Sequence, residues 1–259
     1  MSDHREARRV VLLGSGSSPV GRRAIALGAL PAGGAEADKV TASGAAVILE
    51  EVDGHVAARL PEWPRSALFT CRLDLSTAMR STRSPLLRAA GTPSGALLDA
   101  TAGFGVDAMT FAAAGWRVIA CEREPIVAWL LAEGLASAAG EPRLAEVAAR
   151  VELRAIDARV ELERWRSGRG ESEPPEVVFL DPMFPARERG KSALPPKEAQ
   201  LLRALSGEDP DAGSLVDLAR SVARRRVIVK RPAWAATFGE PAFSLPTKLL
   251  RLDVYLPRA

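Results

Sequence analysis

The spacing of hydrophobic positions changes along this 259-residue chain at about residue 95. Before that point, short apolar runs (RRVVLLG, AAVILEEVDGHVAARL and SALFTCRLDL) read as β-strands. The Gly- and Ala-rich stretch LPAGGAEADKVTASGA between them reads as a loop or weak helix. Ser84 followed by Pro85 predicts a helix start, with PLLRAAG closing on Gly91. From Gly95 onward strands and helices alternate. GALLDATAG, WRVIACE, ARVELRAID, EVVFLDP and RRVIVKRP read as five strands. VDAMTFAAAG, PIVAWLLAEGLASAAG and GSLVDLARSVAR read as helices, and ERWRSGRGESEPPE as a polar loop. This alternation predicts an α/β fold with a mostly parallel sheet covered on both faces. KLLRLDVYLP follows the fifth strand without a helix, which predicts an antiparallel C-terminal strand. The expected organisation is a small mixed or β-rich N-terminal subdomain over residues 1–75 and a larger α/β domain over 76–259.

Composition narrows the function classes. At 47% hydrophobic residues the chain can bury a sizeable core, and no apolar run approaches the length of a membrane span. The charged start MSDHREARR does not read as a secretory signal. Two cysteines, Cys71 and Cys121, make no disulfide framework and read as reduced thiols of a cytoplasmic protein. The only histidines, His4 and His55, leave no basis for a His-based metal site or a Ser–His–Asp triad, so no metal is expected. A net charge of +3 and a pI of 9.2 allow a nucleic-acid partner without requiring one.

The first strand runs into glycines. Gly103 and Gly105 sit between it and a helix, where the backbone approaches a ligand and the helix N-terminus is electropositive. Glu122, ending the second strand, is placed to accept hydrogen bonds from ribose hydroxyls. These features predict an adenosine-type cofactor and leave NAD and S-adenosylmethionine both open. Asp99 separates them: four residues before Gly103, its carboxylate suits the ammonium of S-adenosylmethionine and repels a pyrophosphate. Asp107 complements the helix N-terminus. Asp157, at the end of the third strand, reads either as an adenine-side contact or as a plain loop acid.

The fourth strand ends in Asp181, Pro182, Met183 and Phe184. Ligands of open α/β sheets lie beyond the carboxyl ends of the strands. A carboxylate and a prolyl carbonyl there can accept both hydrogens of an exocyclic amine, with Phe184 stacked on the base. Pro182 fixes φ and stiffens the turn. Such acceptors make the nitrogen lone pair more available to a methyl sulfonium, and in-line positioning supplies much of the remaining rate.

LLDATAGFGVDA, ACEREP, VVFLDPMFP, KSAL with Lys197 and Glu198 following, RRVIVKRP and RLDVY occur in this order. Together, over roughly Ser81 to Tyr255, they resemble the RsmJ family of bacterial 16S rRNA guanine-N2 methyltransferases. The resemblance implies a class I, Rossmann-like methyltransferase fold. It implies S-adenosyl-L-methionine as donor and 16S rRNA, free or in the 30S subunit, as partner. By matching position it implies cofactor contacts from Val106, Asp107, Glu122, Arg123, Asp157, Ala158 and Asp181. Strand 3 of the family usually ends in small hydroxyl residues, where this chain has Asp157 and Ala158.

Arg187, Arg189 and Lys191 follow the strand-4 turn, and Lys230 and Arg231 end strand 5. These five are the expected phosphate contacts flanking the cleft, to which the target guanine must be unstacked. Arg224, Arg225 and Arg226 read instead as a basic helix end. Two competing readings remain. An NAD-dependent oxidoreductase would need an acid–base partner, and the one tyrosine is Tyr255. A non-catalytic RNA-binding ribosome-assembly factor would keep the fold without the transfer.

Overall fold

The computed structural model describes residues 10–32, 47–73, 84–170, 172–183 and 195–258. In chain order they form β1 (Val10–Leu13), α1 (Pro19–Ala26), β2 (Leu30–Ala32), β3 (Val47–Val52), β4 (His55–Arg59), α2 (Pro85–Ala90), β5 (Ala96–Asp99) and α3 (Val106–Ala113). Then come β6 (Arg117–Cys121), α4 (Pro125–Gly140), α5 (Ala145–Ala148), β7 (Val151–Arg154), α6 (Ala158–Arg166), β8 (Val177–Leu180) and α7 (Lys197–Ser206). The chain closes with α8 (Ala212–Val222), β9 (Arg226–Pro232), β10 (Phe243–Pro246) and β11 (Leu250–Tyr255). Two compact units result. One takes the described residues of 1–71, 124–134 and 187–207, and the other those of 72–123, 135–186 and 208–259. No described helix is long and apolar enough to cross a membrane.

In the first unit, four strands pair in the order β2-β1-β3-β4. β1 lies parallel to β2 and β3, and β3–β4 is an antiparallel hairpin. Asp53 and Gly54 close that hairpin with φ of 52° and 80°, the paired positive values of a tight two-residue turn. Sequence reading missed α1, although Ser18-Pro19 carries the same cap signal as Ser84-Pro85. Ser18 Oγ accepts from Gly21 N at 2.9 Å, and Pro19 supplies the preset φ of the first turn. SALFTCRLDL does not form the expected strand. Residues Arg65–Ala67 make a 3₁₀ turn, and only Phe69 pairs, with Ala58. Glu50 is buried on β3, where Arg59 Nε donates to it at 2.8 Å and Arg65 Nη2 at 2.6 Å.

The second unit carries a seven-stranded sheet in the order β10-β11-β9-β8-β5-β6-β7. β5 through β9 are mutually parallel, and β11 runs antiparallel to β9, as the missing helix before it predicts. β10 adds an edge strand that the sequence pattern did not suggest. Every residue of β5 and β8 is buried, which matches strands covered on both faces. Leu98, Ile119, Val178, Leu180, Val227 and Val229 pack in one cluster with Leu162 and Trp165 of α6 and Val216 and Ala219 of α8. On the alternate strand positions, Phe179 meets Phe111 of α3 edge to face at 5.2 Å. The expected polar loop after residue 162 begins later: α6 continues to Arg166 because Leu162 and Trp165, one turn apart, are both buried. Arg224, Arg225 and Arg226 are tied to Glu173, Ser94 Oγ and the Ala89 carbonyl respectively.

β6 and β7 extend the sheet to one side of β5, and β8 starts its other side. The reversal of strand order lies between β5 and β8, which opens a crevice at their carboxyl ends.

Candidate functional site

The turn after β5 is stitched to both neighbouring strands. Ala100 N donates to Phe179 O at 2.9 Å and Ala102 N to Cys121 O at 3.0 Å. Thr101 N closes onto Asp99 Oδ1 at 3.2 Å. Gly103 and Gly105 have φ of 54° and 79°, left-handed values that cost a side-chain-bearing residue about 1–2 kcal/mol. Gly105 is the N-cap of α3, so the next two residues, Val106 and Asp107, open the helix at the crevice, and Val106 is exposed. Gly103 N donates to Glu122 Oε2 at 2.9 Å. The acid expected at a ribose therefore also anchors the glycine turn to the end of β6.

Asp99 is 1% exposed, and its Oδ2 has no hydrogen-bond partner among the described residues. Burial, with repulsion from Asp107, pushes its pKa well above the ordinary carboxylate value. Nearby, Lys230 Nζ lies 2.8 Å from Asp107 Oδ2 and 2.8 Å from Asp181 Oδ2. Burial pulls the Lys230 ammonium down, but Asp181 and Asp107 together outweigh it and hold the pKa above the ordinary lysine value. Burial raises the Asp181 pKa, and Lys230 opposes that rise. The cleft thus sets three carboxyl groups against one ammonium, and the most buried of them retains an acceptor with no donor. This arrangement favours a cationic ligand. S-adenosylmethionine, with an ammonium and a sulfonium, fits it; a dinucleotide pyrophosphate does not.

At the end of β8, Asp181 N donates to Thr101 Oγ1 at 2.7 Å, which locks the two strand ends together. Pro182 is buried. Met183 N donates to Asp209 Oδ2 at 2.7 Å and Asp209 N returns a bond to Met183 O at 3.3 Å. Arg123, just after β6, pairs with the same Asp209. Asp209 was not singled out in the sequence, although an acid in GEDPDAG just ahead of a helix was a legible anchor. Asp157 caps α6 by accepting from Arg159 N at 2.9 Å, and Ala158 is buried as the first helical residue. The capping reading of Asp157 therefore has a geometric basis, and its side chain stays about one-third exposed.

Phe184, Arg187, Arg189 and Lys191 lie outside the described residues. Of the two remaining expected phosphate contacts, Lys230 faces the cleft, but its ammonium is engaged by two carboxylates. Arg231 does not fit the expectation. Strand alternation turns it to the other face of β9. It is 7% exposed there, with its guanidinium 3.9 Å from the centroid of the Phe238 ring. Tyr255, the residue an oxidoreductase would have needed, is enclosed in the core and accepts from Phe238 N at 3.0 Å.

A family model described as "Putative SAM-dependent methyltransferase" matches residues 75–257. Ribosomal RNA small subunit methyltransferase J of Thioalkalivibrio sulfidiphilus is 41% identical over 217 residues, 79% of this chain and 83% of that protein. The protein of the same name from Stutzerimonas stutzeri is 44% identical over 161 residues, 61% of this chain and 60% of its own length. The crystal structure of a SAM-dependent methyltransferase from Neisseria gonorrhoeae superposes with a TM-score of 0.67 at 27% identity, covering 96% of each chain. S-adenosylmethionine is accordingly the cofactor, in agreement with the cationic preference of the cleft. The chain belongs to the SAM-dependent methyltransferases, in the family whose curated members are named ribosomal RNA small subunit methyltransferase J.

Proposed function

We propose that this enzyme methylates the exocyclic N2 of a guanine in small-subunit rRNA. The observation that carries the reading is the pairing of Asp181 with Lys230 at the switch point beside the unsatisfied Asp99. When bound, S-adenosylmethionine supplies an electrophilic methyl group on a sulfonium. Asp99, Gly103, Gly105, Val106, Asp107, Glu122, Arg123, Asp157 and Ala158 line the strand ends and helix starts that would hold this cofactor. Asp99 receives the ammonium, and Glu122 stands at the ribose side. Asp181 and the Pro182 carbonyl accept the two N2 hydrogens of the guanine and orient its lone pair. Asp181 keeps acceptor capacity while Oδ2 is paired to Lys230, since a carboxylate has about four lone-pair sites. As the nitrogen–carbon bond forms, the amine must lose one proton. The raised proton affinity of Asp181 suits it to hold that proton. Phe184 is the proposed stacking partner of the base, and Arg187, Arg189 and Lys191 the proposed phosphate contacts.

The N-terminal subdomain is proposed to dock rRNA or the 30S subunit, and the reaction is placed in the cytoplasm. The test is transfer of a tritiated methyl group to 30S subunits and to naked 16S rRNA from a strain lacking the enzyme, with the modified base mapped. N2-methylguanine at a single position is expected. Methylation of another atom, or none on either substrate, refutes the reading.

A further inference from the structure

We propose that Trp234 is a stacking platform for an unpaired RNA base next to the guanine being methylated; this rests on the rRNA reading above. The chain has five tryptophans. Trp63, Trp116, Trp129 and Trp165 are between 0% and 9% exposed, whereas Trp234 is 52% exposed. Its position follows from the sheet. β9 runs parallel to β8 with Leu180 opposite Val229, so Lys230 emerges beside Asp181. Three residues after the Lys230–Arg231 pair the chain reaches Trp234, on the same carboxyl edge as the cleft. The β10–β11 turn reaches this edge too, because Leu250 pairs with Pro232.

The backbone around Trp234 is fixed although the ring is open. Ala233 N donates to Leu249 O at 3.1 Å and Ala235 N to Pro232 O at 3.0 Å. Arg251 Nη1 donates to Ala233 O at 2.9 Å, and its Nη2 to Ala235 O. Arg251 is itself held by the fully buried Asp253, 2.8 Å from its Nε. An exposed aromatic on a preorganised turn loses little entropy when a flat partner stacks on it. Leu249 (74% exposed) and Leu250 (36%) extend the apolar surface, and exposed Lys248 lies in the same turn. Half an indole and two leucines offer roughly 300 Å², well below the about 800 Å² per partner of a stable protein interface. That area matches one or two nucleobases. The Lys, and a chain of net charge +3, favour a polyanion over a neutral partner.

The experiment compares wild type, Trp234→Ala, Trp234→Phe and Leu256→Ala. Leu256 is a 56% exposed apolar residue following β11, at the opposite edge of the sheet. On unmodified 16S rRNA or 30S subunits, Trp234→Ala should raise KM about 5- to 100-fold. Its kcat and its affinity for S-adenosylmethionine should stay near wild type. Trp234→Phe should retain most of the binding, and Leu256→Ala should change neither constant. A single-stranded oligonucleotide of the substrate region should quench wild-type tryptophan emission but leave Trp234→Phe emission unchanged. An unchanged KM for Trp234→Ala, on a substrate the wild type methylates, overturns the proposal. So does a loss of self-association in Trp234→Ala with RNA affinity intact, which would make the surface a self-contact. Wild type that binds the donor but fails on both rRNA substrates overturns the substrate reading, and this inference with it.

Discussion

Replacing Lys230 by Met tests the electrostatic reading of the cleft most directly. The change removes one ammonium that makes two 2.8 Å contacts and leaves Asp107, Asp181 and Asp99 facing one another. Truncating one member of a fully buried ion pair costs about 3–5 kcal/mol. Lys230 is 24% exposed and Asp181 36%, so solvent screening reduces the expected loss to about 2–3 kcal/mol at neutral pH. For a chain of this size that lowers Tm by roughly 4–10 °C. The pH dependence has a definite sign. The folded-state pKa of Lys230 is raised, so its contribution is complete below the ordinary 10.5 and is lost only as pH climbs through the raised value. On the acid side the contribution fades as its carboxylate partners protonate. The gap between wild type and Lys230→Met should therefore be widest at neutral pH and close as pH falls. Asp181, without its cation, should titrate higher, so the acid limb of the methyl-transfer rate should move to higher pH. Adding Asp107→Asn to Lys230→Met should recover part of the lost stability. Urea unfolding across a pH series, with single-turnover methyl transfer over the same series, measures both effects. A variant within about 0.5 kcal/mol of wild type at neutral pH, with an unmoved rate profile, refutes the reasoning.

Asp99→Asn should weaken S-adenosylmethionine binding about 10- to 100-fold, the equivalent of one charge-assisted hydrogen bond. Because the Asp99 pKa is raised in the fold, wild-type donor affinity should increase with pH as the carboxyl ionises, and the Asn variant should lose that dependence; calorimetry in buffers of different ionisation enthalpy detects the released proton. Asp209→Ala frees Met183 and Arg123 together, so kcat should drop about tenfold or more with donor affinity nearly kept, measured by pre-steady-state methyl transfer. Glu50→Gln should cost the fold about 3 kcal/mol at pH 7, read by thermal unfolding. Burial pushes the Glu50 carboxyl up, but Arg59 and Arg65 bring it below its ordinary 4.5, so the wild-type advantage is full above that value and disappears as pH falls through the folded pKa.

The crevice was legible in the sequence because a parallel sheet sends every carboxyl strand end to one edge. Asp99, Glu122, Asp157, Asp181 and Lys230 could each be placed there from strand endings alone, although Asp99 and Lys230 are 131 positions apart. What those residues bind to one another was not legible, because it depends on register and side-chain reach. Lys230 read as a phosphate contact, but β8–β9 pairing brings it level with Asp181, and an ammonium there is worth more to two carboxylates than to solvent. Arg231 illustrates a missed local rule: adjacent residues of a strand point to opposite faces, so Lys230 and Arg231 could not both line the same cleft. The helix α1 was missed for a different reason. Its cap is sound, but Arg22 and Arg23 interrupt a short apolar stripe, and eight residues give the 3.6 period little room to show.

Asp209 shows why the fourth strand's motif is only part of its own site. Asp181-Pro182-Met183 supplies acceptors and a stiff φ, yet a turn at a strand end stays in place only if its backbone groups are bonded. Met183 N and O both go to Asp209, from the segment that leads into α8, and Asp209 also takes the guanidinium of Arg123 at the end of β6. One carboxylate therefore couples the amine-accepting turn to the strand that carries Glu122, on the cofactor side of the crevice. Donor and acceptor geometries share a support that lies in neither motif. Substitutions of Asp209 should accordingly disturb the alignment between methyl and amine before they disturb the binding of either.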